Sequence, residues 1–261
     1  MDFGLYKSII DEFKNKKVKP VIAFNFAGEP LLHPEVDKFI EYANQNGHKT
    51  FVSTNATHLS KNLSEKLITA GLSDVHLCLE GITKKSHEAY KHGSNFEEVK
   101  KNIENFTAAK KRLASEKPYV IIQTLLTSFS ENEIEEIKQW AKNIGADAIN
   151  LKTLSMGSYT TDEMKERYKY LLPTKKEFLR KSSALDKTLC SWPLRHAVVY
   201  WNGELGLCCT DFDNALRLDN IKEGGFLKTF FSDEVIKKRK MGFQKSFDLC
   251  KKCSLWNADF M

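Results

Sequence analysis

Cysteine is almost missing from the first three quarters of the chain, where only Cys78 precedes residue 190. A single cysteine is most often a small buried hydrophobe, and Cys78 is first read as one. No apolar run approaches the length of a membrane span, which excludes a helical membrane protein. No signal peptide opens the chain, so it reads as cytoplasmic and disulfides are not expected. Low-complexity tracts and close repeats are missing too. The net charge of +6, from 40 basic and 34 acidic residues, is mild. Its densest basic run, Lys237-Lys238-Arg239-Lys240, reads as a solvated helix face. No aromatic-interleaved basic stripe accompanies it, so neither nucleic acid nor a membrane is an expected partner. With 41% hydrophobic and 28% charged residues the composition is ordinary for a globular chain, and 261 residues allow one large or two small domains.

What the chain does contain is concentrated at its end. Cys190, Cys208, Cys209, Cys250 and Cys253 make the pattern C-x17-C, a long gap, then C-x2-C. Between the first two lies a β-hairpin signal, Val198 to Leu207, with Asn202-Gly203 expected at a type I′ turn. A hairpin returns the chain on itself and brings Cys190 toward Cys208, while Cys250-x2-Cys253 is a two-thiolate clip. Four thiolates so gathered suit zinc or an iron–sulfur cluster, and thiolate chemistry alone does not separate the two. Cys190, Cys208, Cys250 and Cys253 are the expected metal ligands, with sulfurs within a few ångströms of one another. Cys209, one residue further along a strand, is expected to point to the opposite face and pack as a hydrophobe.

The rest reads as strands alternating with amphipathic helices. Strands are expected over residues 21–26, 49–53, 74–79, 119–126 and 148–152. A helix over 2–16 precedes them. Others follow over 34–46, around Leu63 to Ile68, over 84–91, after a capping box Ser94-x-x-Glu97, and after a second box Ser130-x-x-Glu133. This alternation predicts α/β architecture with a parallel sheet, right-handed crossovers, and a ligand site at the carboxyl ends of the strands. Residues 1–155 are expected to form this domain and 156–187 a helical connector. Residues 188–261 should form a small α+β cysteine-rich domain with a helix near 232–240.

The strand ends carry a resemblance. Phe26-Ala27-Gly28-Glu29-Pro30-Leu31-Leu32-His33-Pro34 resembles the GGEPLLHP stretch of radical S-adenosylmethionine enzymes. Ser53-Thr54-Asn55-Ala56 is similar to their TNG stretch. Cys78-Leu79-Glu80-Gly81 is similar to their SLDG stretch, and His87-Glu88-Ala89-Tyr90-Lys91 to the H-x-x-x-R behind it. The cysteine pattern C-x12-G-x4-C, closed by C-x2-C, resembles the shorter twitch form of the SPASM auxiliary-cluster domain. The resemblance implies a partial (β/α) barrel of five remaining parallel strands. It also implies S-adenosylmethionine as cofactor, and one auxiliary [4Fe–4S] cluster on the four named cysteines. Gly28 and Glu29 would meet the methionine ammonium, and Asn55 and the strand end at Lys152 to Leu154 would line the cofactor pocket. Cys78 and Lys91 would also bind the cofactor: they stand where the family has Ser and the Arg that meets the methionine carboxylate, and Lys keeps the charge without the bidentate fork.

The family's C-x3-C-x2-C loop, ligand of a second [4Fe–4S] cluster, is absent from the sequence. The expectation is a truncated chain that starts on the helix after that loop, with the missing pattern encoded in frame upstream. An exposed apolar edge should mark the place of the missing first strand. As written, the chain lacks three thiolates and a barrel strand and should not perform radical chemistry. In the intact protein the resemblance implies a 5′-deoxyadenosyl radical that abstracts hydrogen from a small-molecule or peptide substrate, as an oxidoreductase or modifying enzyme. The electron donor would be a flavodoxin or ferredoxin. A non-enzymatic four-cysteine zinc or iron–sulfur module is the alternative. The catalytic acid or base is unknown; Asp211 is a candidate beside the reading of a loop carboxylate.

Overall fold

The computed structural model describes residues 1–154, 156, 160–179, 189–251 and 253. In chain order the elements begin with α1 (Phe3–Asp11), β1 (Ile22–Phe24), a 3-10 turn Pro30–Leu32, α2 (Val36–Gln45) and β2 (Thr50–Thr54). Next come α3 (Lys61–Thr69), β3 (Asp74–Cys78), α4 (Lys84–Tyr90), α5 (Phe96–Arg112) and β4 (Tyr119–Leu126). Then follow α6 (Ile134–Ile144), β5 (Ala148–Thr153), α7 (Asp162–Tyr168), α8 (Trp192–Arg195), β6 (Val198–Val199), β7 (Glu204–Gly206) and β8 (Arg217–Asn220). Helices α9 (Phe226–Phe230), α10 (Asp233–Phe243) and α11 (Asp248–Lys251) complete the described chain. Two compact units result. One comprises Val18–Leu154 and Arg167–Arg180, the other Met1–Lys17, Ser155–Glu166 and Lys181–Met261.

The first unit is the expected partial α/β barrel. Its sheet runs β1-β2-β3-β4-β5, every neighbouring pair parallel, with partners such as Val52–Val75, Leu77–Ile122 and Gln123–Asn150. Val52, Val75, Leu77, Val120 and Ile122 lie on one face and join Ile40, Leu67, Val99, Ile103 and Phe106 from the helices in one core. Fully burying each such side chain contributes about 1.5–3 kcal/mol. Strand β1 pairs only with β2 among the described residues, and nearby Val18 and Val21 are exposed.

Both expected capping boxes are displaced. α5 is capped by Asn95, whose side chain accepts from Glu98 N, while Ser94 bonds His87. α6 starts after Glu133 without a side-chain cap. Ser130 instead accepts from Thr127 N at 3.1 Å. The capping box actually formed is Thr83 with Ser86. Ser86 Oγ and Thr83 Oγ1 both donate to Glu133, as does Ile82 N at 2.8 Å. Glu133 thus caps a neighbouring loop. Gly81 permits the approach, since a Cβ there would lie 2.1 Å from Ser86 Oγ.

In the second unit β6, β7 and β8 form an antiparallel sheet in that order. The hairpin is present, but its turn differs from the type I′ expected. Gly203 N donates to Tyr200 O and Tyr200 N to Glu204 O. Trp201 and Asn202 therefore occupy the corner, and Gly203 alone takes positive φ, at 84°. A three-residue loop of this kind places glycine after the turn instead of within it. Leu205, Leu207, Leu218, Ile221 and Val235 form the core, joined by Leu5 and Ile9 of α1. Glu12, just after α1, accepts from Phe226 N and Leu227 N at 2.6 and 2.7 Å, capping α9. No helix among the described residues is long and apolar enough to cross a membrane.

Candidate functional sites

At the strand ends of the barrel unit, Glu29 is the most fully specified side chain. It follows β1 and caps the Pro30–Leu32 turn by accepting from Leu31 N at 3.1 Å. Its Oε1 also accepts from Thr54 Oγ1 at 2.6 Å, and its Oε2 from Asn55 N at 2.9 Å. An ionised carboxylate offers about four acceptor positions, so one is left for an outside donor. Gly28 beside it has φ 97°, and a Cβ built there meets nothing within 4 Å. The loop is therefore both conformationally glycine-specific and open. Asn55 shapes the next loop by accepting from Thr57 N, and Asn102 on α5 clamps it by donating to Ala56 O and Thr57 O.

Cys78 is buried at the end of β3. Gln123 Nε2 donates to its sulfur at 3.4 Å, and Ser53 Oγ stands 3.8 Å away. Burial, then the Glu80 carboxylate, pushes the thiol up to about 11, so it stays protonated and is no nucleophile. Glu80 is buried as well. It accepts from Leu125 N at 2.7 Å, and Lys91 Nζ lies 3.8 Å from its other oxygen. Burial raises its pKa, with Lys91 opposing. Lys91 is thus already partnered. His87 behind it accepts from Glu80 N through Nδ1 and donates from Nε2 to Ser94 Oγ. Burial depresses His87 to about 4, so it is a neutral strut that fixes Glu80. Sequence reasoning did not find Thr54 as the partner of Glu29, nor the Glu80–Lys91 pair. The signal available was the spacing of polar residues within otherwise apolar strand ends.

In the second unit the thiols of Cys190, Cys208, Cys209, Cys250 and Cys253 lie within one another's electrostatic reach. Burial, and then neighbouring thiolates, raise Cys190 and Cys250. Cys208 is drawn down to about 6, first by a hydrogen bond from Cys209 and then by Thr210, whose N and Oγ1 lie 3.5 and 3.2 Å from its sulfur. Cys209 is correspondingly raised. It does not point to the opposite face as expected. Strand β7 ends at Gly206, so both cysteines lie beyond it and strand alternation no longer separates them. Among the described residues no three His, Cys, Asp or Glu side chains already stand in metal-holding geometry. The sulfur-only donor set, with one thiol ionising near neutrality, fits an iron–sulfur cluster or zinc. Asp211 is buried and spent on the backbone. Its two oxygens accept from Ala215 N and Leu216 N at 2.9 and 2.7 Å.

A parallel partial barrel with a glycine–glutamate strand end, together with an antiparallel unit rich in thiols, defines the class as an α/β protein with a thiol-rich unit suited to zinc or an iron–sulfur cluster. The Radical SAM superfamily model matches residues 4–141, and the SPASM model, an iron–sulfur cluster-binding domain, matches residues 190–254. The chain belongs to the radical SAM superfamily and carries a SPASM domain, which implies iron–sulfur clusters and S-adenosylmethionine as its cofactors. A tungsten-containing aldehyde ferredoxin oxidoreductase cofactor-modifying protein of Pyrococcus furiosus is 23% identical over 158 residues. That match covers 59% of this chain and 43% of the relative. The chain thus spans under half the length of this curated relative. Among solved structures, anSMEcpe with bound AdoMet and a peptide aligns with TM-score 0.64 at 16% identity, covering 97% of this chain and 80% of that one. Streptococcus suis SuiB bound to its precursor peptide SuiA aligns at 0.66 and 16%, covering 96% and 62%.

Proposed function

We propose that this chain serves radical S-adenosylmethionine chemistry on a small-molecule or peptide substrate, with one auxiliary [4Fe–4S] cluster in its C-terminal unit. When bound, the cofactors supply one-electron chemistry and hydrogen abstraction; the protein positions them and excludes water. Glu29 and the carbonyls of the Gly28 loop accept from the methionine ammonium, and Asn55 lines the same pocket. Lys91, paired with Glu80, faces the methionine carboxylate as a charge without the bidentate fork. Cys78 serves as a neutral, hydrogen-bonded wall. Cys190, Cys208, Cys250 and Cys253 hold the auxiliary cluster, with Cys209 donating to the ligand sulfur. The sequence holds no C-x3-C-x2-C, so its six cysteines assign ligands for the auxiliary cluster alone. A flavodoxin or ferredoxin is the electron donor.

The observation that carries this reading is the Glu29 carboxylate, fixed by three internal hydrogen bonds beside an open glycine, with acceptor capacity remaining. The test is anaerobic reconstitution with iron and sulfide, followed by absorbance and metal analysis. A brown protein with about four irons, lost in Cys250→Ala, is expected. A colourless protein holding one zinc per chain would favour the non-enzymatic metal-binding module.

A further inference from the structure

Strands of an all-parallel sheet are normally apolar on both faces. Here only the face bearing Val52, Val75, Leu77, Val120 and Ile122 joins the helix-packed core. The opposite face is polar toward its carboxyl end. By alternation and register it carries Phe51 and Ser53 of β2, His76 and Cys78 of β3, Gln123 of β4, and Asn150 and Lys152 of β5. A hydrogen-bond chain crosses it. Gln123 Nε2 donates to Cys78 Sγ at 3.4 Å, leaving Gln123 Oε1 to face His76 Nδ1 at 3.1 Å.

That chain fixes the imidazole. An amide oxygen only accepts, so Nδ1 carries the proton and Nε2 a lone pair. Phe51 holds the ring edge-on at 4.6 Å. Nε2 has no hydrogen-bond partner among the described residues, nor is it one of the sealed, unpartnered polar atoms. His76 as a whole is half-buried. A polar chain inside a sheet is costly where a member lacks a partner, and sites that break the local apolar pattern are commonly functional. Lys152 is exposed, forms no ion pair among the described residues, and its charge is felt at His76, Cys78 and Glu80. A cation there disfavours a second cation as ligand.

We propose that His76 Nε2 is the acceptor for a substrate hydroxyl, and that Lys152 selects substrates carrying an anionic group near that hydroxyl. Calling the ligand a substrate rests on the function proposed above. Gln123 is a positioning residue, which sets the imidazole tautomer without touching the ligand. The class of substrate is therefore a hydroxylated carboxylate or phosphate.

The full chain, labelled with 15N-histidine, provides the test, with glycerol 2-phosphate and inorganic phosphate as probes. His76 should show the Nδ1–H tautomer, and Gln123→Leu should release it to a mixture while the fold is kept by circular dichroism. Diethyl pyrocarbonate should carbethoxylate His76, mapped by mass spectrometry. Glycerol 2-phosphate should slow this several-fold and phosphate less, and Lys152→Gln should abolish the protection. An Nε2–H tautomer, or a His76 that reacts only after unfolding, overturns the assignment of the acceptor. Protection by neither probe overturns the ligand class. Iron and sulfide content, measured on the same samples, reports on the proposed function separately. His76 can fail while the cluster loads, or hold while the cluster does not.

Discussion

The barrel unit and the cysteine unit both place polar groups just beyond the ends of strands, but the groups are held by different means. In the barrel unit a large apolar core anchors the strands, and the residues beyond them are locked by direct hydrogen bonds. Glu29 has three such partners and Glu133 another three. Among the described residues of the cysteine unit the core is a handful of side chains around Leu205, Leu207 and Val235, burial and then neighbouring thiols raise Cys190 and Cys250, and no closed donor set is formed. Small cores rarely stabilise a fold alone and are commonly completed by metal or disulfide staples. The difference teaches that the first site is organised by the fold, whereas the second leaves its organisation to the cluster proposed for it.

The sharpest division between the units should come from Phe106→Ala. Phe106 is fully buried in the barrel core, and its truncation should cost about 3–5 kcal/mol. Urea titration of the barrel transition reads this, while the iron bound per chain after reconstitution stays unchanged. Equal loss of both would mean that the two units do not behave separately.

Acidification should separate the units next. His87 is buried in the barrel unit with a folded pKa near 4 against 6.5 for the free side chain. A depressed folded pKa favours the neutral ring, so its contribution is full above about pH 6.5. It is lost as pH falls toward 4, amounting to about 3 kcal/mol. Lys91 adds to the depression and Glu88 opposes it. Denaturation of wild type and His87→Gln at pH 7 and pH 4.5 gives the difference. A stability gap that does not shrink on acidification contradicts the assignment.

Smaller effects are expected from the two capping carboxylates, one in each unit. Glu133→Gln removes the charge that accepts from Ile82 N, Thr83 and Ser86, and should cost the barrel unit about 1–3 kcal/mol. Asp211→Asn weakens the acceptors of Ala215 N and Leu216 N, and should cost the cysteine unit a similar or smaller amount, about 1 kcal/mol. Unchanged thermal stability in Asp211→Asn would contradict this capping role.

The parallel sheet, its helices, and the glycine–glutamate strand end were legible in the sequence because apolar periodicity and breaker residues are local signals. The cysteine spacing was legible for the same reason. Caps were misplaced because Ser94 and Ser130 satisfy the local pattern, while the structure assigns them to His87 and Thr127 N. Glu133 was read as a local cap, yet its partners lie some fifty positions earlier. Strand β8 was missed because Arg217-Leu218-Asp219-Asn220 has little β propensity; its partner β7 imposes the conformation. Cys209 was misdirected by assuming that the strand extended to it. The Gln123–His76 chain joins residues 47 positions apart and has no one-dimensional signature beyond polar residues in apolar strands.

Amide hydrogen exchange, with and without iron and sulfide reconstitution, tests most directly the claim that one site is built by the fold and the other by its ligand. Peptides covering residues 50–57, 74–82 and 119–127 should exchange at the same rates in both samples. Those covering residues 189–221 and 244–251 should gain protection only on reconstitution. Equal protection of the cysteine unit in both samples would contradict the account, as would iron-dependent protection at the end of β1 and β2.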